Sequence, residues 1–175
     1  MRENAKENPF RRYLDYLHEL QELSVEEKML YNGIGREFLN LLKTTDMQKV
    51  YKMPILLSFY NDGNIRMAMT DEEVLQTWKR FFSESTNWKD LSEGITYEQF
   101  QKITDRQHLS KAKTMPVHYL KALGKELFID LPGYAIALRK ELEPVIASPV
   151  MQEQMKDIIE YRTMEYYRRR YSIAE

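Results

Sequence analysis

Apolar residues recur along this chain with two different periods, and the switch between them divides it into elements. In PFRRYLDYLHELQEL, Phe10, Leu14, Leu17 and Leu20 fall at helical spacing while Arg11, Arg12, Asp15 and Glu19 take the other face, which predicts an amphipathic helix. Ser24 followed by Glu27 forms a capping box. Behind it Leu30, Ile34, Phe38, Leu41 and Leu42 repeat on one side, predicting a second helix to about Lys43. Gly33 and Gly35 sit inside that helical pattern, with no preceding strand and no third glycine, so they are not read as a phosphate loop.

Two Met-Pro segments follow, KMPILLSFYNDG from Lys52 and TMPVHYLKALG from Thr114. In each, proline falls where a helix can begin without losing a hydrogen bond and glycine falls near its end, so both predict short helices closed around Gly63 and Gly124. Between them, Ile65, Met67 and Met69 alternate as in a short strand. Thr70 with Glu73 caps a helix carrying Val74, Leu75, Trp78, Phe81 and Phe82, whose spacing reads as core. The polar SESTNWKDLSEG predicts a loop in which Trp88 is a candidate ligand or domain contact. Thr96 with Gln99 opens one more helix through Tyr97, Phe100 and Ile103.

Strand periodicity returns at Leu127 and Ile129, and again at Tyr134, Ile136 and Leu138. Between these runs Leu131-Pro132-Gly133-Tyr134 has the proline and glycine of a type II turn, predicting a hairpin. Ser148-Pro149 then starts a long helix to about Tyr171. The fold class expected is mainly α: a winged-helix-like core with a small β hairpin, an inserted helix, and flanking N- and C-terminal helices. In such a core the last helix before the wing enters the DNA groove. The expected division is an N-terminal helical extension at 1–45, the winged-helix-like part at 46–146 with an insertion at about 84–113, and the long helix at 147–175.

Composition narrows the function. The chain has 175 residues, 43% hydrophobic and 30% charged, with a formal charge of −1 and no cysteine. Disulfides, thiolate chemistry and sulfur-ligated metals are excluded. The three histidines are scattered, so no metal site and no cofactor is expected, and His18 and His108 read as surface residues. No apolar run approaches the roughly 20 residues that cross a bilayer, and the charged N-terminus lacks a signal-peptide core. A cytoplasmic protein without membrane contact is expected. Carboxylate pairs such as Glu72 and Glu73, or Asp15 and Glu19, have no nucleophile or metal ligand beside them, so the reading is not of an enzyme.

Charge is unevenly spread, and this brings nucleic acid into view. From Lys111 to Lys140 the cations Lys111, Lys113, Lys121, Lys125, Arg139 and Lys140 are opposed only by Glu126 and Asp130. If 116–123 is a recognition helix, His118, Tyr119 and Lys121 are its groove contacts and Lys125 stands near the base of the wing. Taken alone, His118 reads better as a partly buried residue of a short helix than as a groove contact. At the far end Arg168, Arg169 and Arg170, flanked by Tyr166, Tyr167 and Tyr171, have the donors for phosphate and the rings for an unpaired base. The bland reading is a solvated helix end whose cations favour the dipole, and Arg11 and Arg12 repeat that case more weakly.

Thr45, Met47, Lys49, Tyr51-Lys52-Met53-Pro54 and the apolar helix ending Phe59-Tyr60-Asn61 carry a family likeness, continued in NWKDL, MPVHYL and IEYRTMEYYRRRY. From about residue 10 onward the chain resembles the region C-terminal to the motor core in bacterial superfamily 2 (DEAD/DEAH-type) helicases of restriction or mobile-element type. The chain itself has no glycine-rich Lys-Ser/Thr loop, no Asp-Glu-x-His stretch and no arginine-finger block. The resemblance therefore implies an accessory domain, with ATP hydrolysis supplied elsewhere, that takes duplex or forked DNA or docks a helicase motor or partner subunit. The alternative from another class is a protein-interaction or dimerisation module, in which the terminal amphipathic helices bury their stripes against a partner or a second copy.

Overall fold

A computed structural model of the protein describes residues 9–61 and 64–171, with backbone alone at 9–12 and 61. The Phe10, Arg11 and Arg12 side chains and Gly63, all assigned roles above, lie outside the described residues. Helix α1 (Pro9–Glu19) buries Leu14. It stops before Leu20, which is 47% exposed beside Gln21 in a left-handed conformation with φ of 60°. Both hydrogen bonds of the Ser24–Glu27 capping box are present, at 2.8 and 3.2 Å, and open α2 (Val25–Tyr31).

The single helix expected from Ser24 to Lys43 is in fact two. It breaks at Asn32 and Gly33, and α3 (Ile34–Thr44) starts afresh with Gly33 as an extended N-cap. Gly35 has a packing reason. A Cβ there would lie 2.6 Å from Cγ1 of Val145 and 3.1 Å from Cδ2 of Leu30, so the chain approaches too closely for a side chain. The same turn aims Phe38, Leu39 and Leu42 into the core.

Helix α4 (Lys52–Phe59) is apolar nearly all round and is buried accordingly. Pro54 falls in its first turn, where its missing N–H leaves no carbonyl unpaired. Strand β1 (Tyr60–Asn61) pairs antiparallel with β2 (Asn64–Ile65), and β3 (Ala68–Met69) follows. The strand predicted through Ile65, Met67 and Met69 thus divides into two short strands belonging to different sheets. The Thr70–Glu73 box opens α5 (Asp71–Ser83), and Trp78 and Phe82 are fully buried with ring centroids 4.7 Å apart, as their spacing predicts.

A 3-10 turn (Asn87–Asp90) and α6 (Tyr97–Gln101) come next, α6 ending before Ile103. The next helix begins earlier than expected. α7 (Asp105–Ala112) is opened by a capping box of Thr104 with Gln107, and it runs without a break through a π turn (Lys113–Val117) into α8 (His118–Leu123). Pro116 therefore sits inside a helix instead of starting one. Proline there removes the donor owed to the carbonyl four residues back and crowds it. The helix widens here into the π turn, where the His118 N–H reaches the Lys113 carbonyl five residues back.

Strands β4 (Phe128–Ile129) and β5 (Ile136–Leu138) form the predicted hairpin, with Phe128 opposite Leu138. The turn chemistry is as predicted. Gly133 takes φ of 86°, and the Tyr134 N–H donates to the Leu131 carbonyl at 3.1 Å. β5 also pairs with β3, giving a three-stranded antiparallel sheet of order β3-β5-β4, and as its central strand β5 is buried at every residue. A 3-10 turn (Lys140–Leu142) and α9 (Glu143–Ile146) lead to α10 (Pro149–Tyr171), which packs along α3 and α4. The protein is mainly helical with one small three-stranded sheet. A hydrophobic cluster reaching from Leu14 to Ile159 joins residues of all three expected segments. No helix among the described residues is long and apolar enough to cross a membrane.

Candidate nucleic-acid interface

Helix α8 and the β4–β5 hairpin enclose an open cleft of about 530 Å³ whose lining includes Lys113, His118, Lys121 and Lys125, with Phe128 and Ile129 as its floor. Turn and helix geometry produce this grouping. Positions 118, 121 and 122 share one side of α8, Lys125 follows in the turn just past its Gly124 cap, and the tight turn at Pro132-Gly133 returns the hairpin beside them. Two of the cations have carboxylate partners. Lys113 pairs with Asp71 at 2.8 Å and Lys121 donates to Asp130 from across the cleft. Exposed pairs of this kind contribute about 0–1 kcal/mol, so the ammonium groups remain exchangeable. His118 is exposed, not partly buried, and meets Tyr119 edge-on with centroids 5.3 Å apart. Lys125 and Tyr119 are exposed too.

The remaining cations behave differently. Lys111 turns away from this cleft, donates to the Leu91 carbonyl and stands 5.5 Å above the Tyr51 ring, and burial lowers its pKa. Of the terminal arginines, Arg168 is exposed and Arg169 pairs with Glu165 at 2.6 Å along α10. Arg170 points its Nε at Asp90, 3.1 Å away. Asp90 is fully buried and accepts from the Val50 N–H at 3.0 Å and from the Tyr166 hydroxyl at 2.8 and 2.9 Å. Lys49 lies 3.6 Å from the same carboxylate.

Around this carboxylate the fold ties distant segments together. The Tyr51 hydroxyl donates to the Leu91 carbonyl at 2.5 Å, and burial, with Asp90 adding to it, pushes its pKa up to about 12. Burial and Asp90 also raise the Tyr166 hydroxyl. Nearby, Arg162 donates to the carbonyls of Leu42 and Thr45 at 2.8 and 2.6 Å, and Lys52 donates to the Thr45 hydroxyl at 3.0 Å. The segments around Thr45–Pro54, NWKDL and EYRTMEYYRRRY thus meet here. Asp90 has no sequence signal of its own, being one polar residue in a polar loop.

A second cleft, of about 540 Å³, opens between α7 and the loop after the 3-10 turn, and His108 and Lys111 help to line it. His108 is not the surface residue expected. It is 4% exposed, its Nδ1 accepts from Trp78 Nε1 at 3.3 Å, and burial lowers its pKa. The Thr104–Gln107 box was the signal that could have found it, because a helix phased from that box carries His108 and Ala112 inward together. Trp88 is half-buried and packs against Tyr97 and Phe100 at 5.5 and 6.4 Å, an aromatic satellite of the core. Exposed His18 stacks on Tyr31 at 4.3 Å. Among the described residues no group of His, Cys, Asp and Glu could hold a metal ion. No protein-family model matches the chain, and no curated protein or solved structure matches it.

Proposed function

We propose that the chain is a non-catalytic DNA-binding domain that grips the phosphate backbone through the cleft between α8 and the hairpin, using Lys113, His118, Lys121 and Lys125, with Tyr119 packed against His118. The observation that carries this reading is the convergence of Lys113, His118, Lys121 and Lys125 on one open cleft whose ion pairs are both exposed. The connectivity supports it. With β1, β2 and α6 set aside, the order α4, β3, α5, then α7–α8, β4 and β5, with β3 and β4 flanking β5, is what a winged-helix reading expects. In that reading α7 and α8 together form the recognition helix, and 84–104 is the insertion before it. The helicase-like likeness supports an accessory role beside a motor that hydrolyses ATP elsewhere.

The test is fluorescence anisotropy of a labelled forked DNA at low and moderate salt. Affinity is expected to fall by about 0.9 log unit per phosphate contact for each log unit of salt, and Lys125→Ala is expected to reduce that slope. Absence of binding at low salt overturns the proposal. A second reading, a protein-interaction or dimerisation module, is supported by Met115, Tyr119 and Leu123, which repeat every four residues and are 44%, 50% and 59% exposed. Salt-insensitive self-association in light scattering would favour it.

A further inference from the structure

We propose that the cleft beside His108 binds a small phosphorylated molecule through a set of hydrogen-bond donors left over by the fold. Gln99 and Gln107 each give their amide oxygen to a capping box, accepting from the Thr96 N–H at 2.9 Å and from the Thr104 N–H at 2.8 Å. A backbone N–H can only donate, so each amide must turn its oxygen inward. What each has left for the cleft is an NH₂ group. His108 has its Nδ1 filled by the Trp78 N–H, so the neutral imidazole carries its proton on Nε2. Lys111 has donors only, and the Leu91 carbonyl takes one of the three.

These side chains share one lining, and every acceptor atom on them is engaged inside the protein. The cleft therefore presents donors from Gln99, Gln107, His108 and Lys111. Its complement is a compact group rich in acceptors, and a phosphate offers more oxygens for this purpose than a carboxylate. Leu91, Ile95 and Ile103 complete the lining with apolar surface for an organic part, and about 540 Å³ lies within the range of small-molecule sites. Glu93, exposed in the adjoining loop, is the carboxylate of the lining and disfavours a polyanion over a single phosphate. Burial lowers the pKa values of both Lys111 and His108, so a bound anion would restore favourable surroundings to the ammonium. None of these residues lines the cleft between α8 and the hairpin, so the inference stands or falls apart from DNA binding.

The experiment titrates phenyl phosphate, inorganic phosphate and benzoate into the full-length ¹⁵N-labelled chain and follows the Trp78 indole N–H and the His108 ring by NMR. Phenyl phosphate is expected to shift both saturably and to bind about tenfold tighter than inorganic phosphate. Gln107→Glu keeps the acceptor that the capping box needs while replacing the outward NH₂ by oxygen, and Lys111→Met removes the charge but keeps the stem. Both are expected to abolish the shift, with the melting temperature of Gln107→Glu unchanged. The proposal is overturned by the absence of a saturable shift with phenyl phosphate, by equal binding to Gln107→Glu, or by benzoate binding as tightly as phenyl phosphate. Shifts confined to the surroundings of Lys121 and Lys125 overturn it as well.

Discussion

The α8–hairpin face and the C-terminal end of α10 are both basic and aromatic in sequence, yet the fold uses them in opposite ways. Beside the hairpin the cations look outward, and their partners Asp71 and Asp130 are surface carboxylates. At the end of α10 the polar groups converge on the interior, with Tyr166 and Arg170 reaching the buried carboxylate of Asp90 and Arg162 reaching two carbonyls of the α3 terminus. A run of cations thus says little until the burial of its counter-charge is known. A buried acceptor turns basic residues into struts, whereas a solvated one leaves them available.

Removing the two kinds of carboxylate gives the largest contrast. Asp90→Ala leaves the Val50 N–H and the Tyr166 hydroxyl without their acceptor inside the protein and is expected to cost about 3 kcal/mol or more in urea unfolding. A loss below about 1 kcal/mol would mean that the α10 end is no more tightly built than the hairpin face. Tyr166→Phe removes only the hydroxyl side of the same network, and about 1–2 kcal/mol is expected. Asp71→Ala should change stability by no more than about 0.5 kcal/mol while leaving Lys113 freer for DNA, so an affinity gain without a stability loss is the expected pair of readings.

Titration sharpens the same distinction. Tyr51 is held neutral, with its pKa raised from 10.0 to about 12, so its contribution is complete below pH 10 and is lost as pH climbs towards 12. Alkaline unfolding should be less steep in Tyr51→Phe. His108 has the opposite sign. Its lowered pKa makes its contribution complete above the ordinary value of 6.5, and that contribution is lost as pH falls below it, so stability should decline on mild acidification less in His108→Gln than in the parent. If both variants follow the parent at each end of the range, burial is not what perturbs these groups.

Local chemistry made much of the fold legible. The boxes at Ser24, Thr70 and Thr96, the Pro132-Gly133 turn and the start of α10 at Pro149 each depend on residues a few positions apart, and each forms as read. The Thr104–Gln107 box is equally local, and it sets both the onset of α7 and the burial of His108. Other features had no local signal. The bonds from Val50 and Tyr166 to Asp90 span 40 and 76 positions, and that from Arg162 to Leu42 spans 120, distances at which no periodicity operates. Of the expected contact residues, those on and beside α8 lay in one short stretch and came together, whereas Lys111 and Arg170 were drawn off by partners remote in the chain and Arg169 by Glu165 one turn back on α10.

The wide turn at Lys113–Val117 is also an angular spacer. Each residue of a regular helix advances the azimuth by about 100°, so the extra residue that a π turn accommodates resets which way everything after it faces. The donor-lined cleft is indexed on α7 before the spacer and the cationic cleft on α8 after it. Deleting a single residue such as Thr114 would leave both half-helices chemically intact while rotating Lys121 and Lys125 away from the hairpin. One residue of length in that turn therefore sets the bearing between two surfaces that share no side chain.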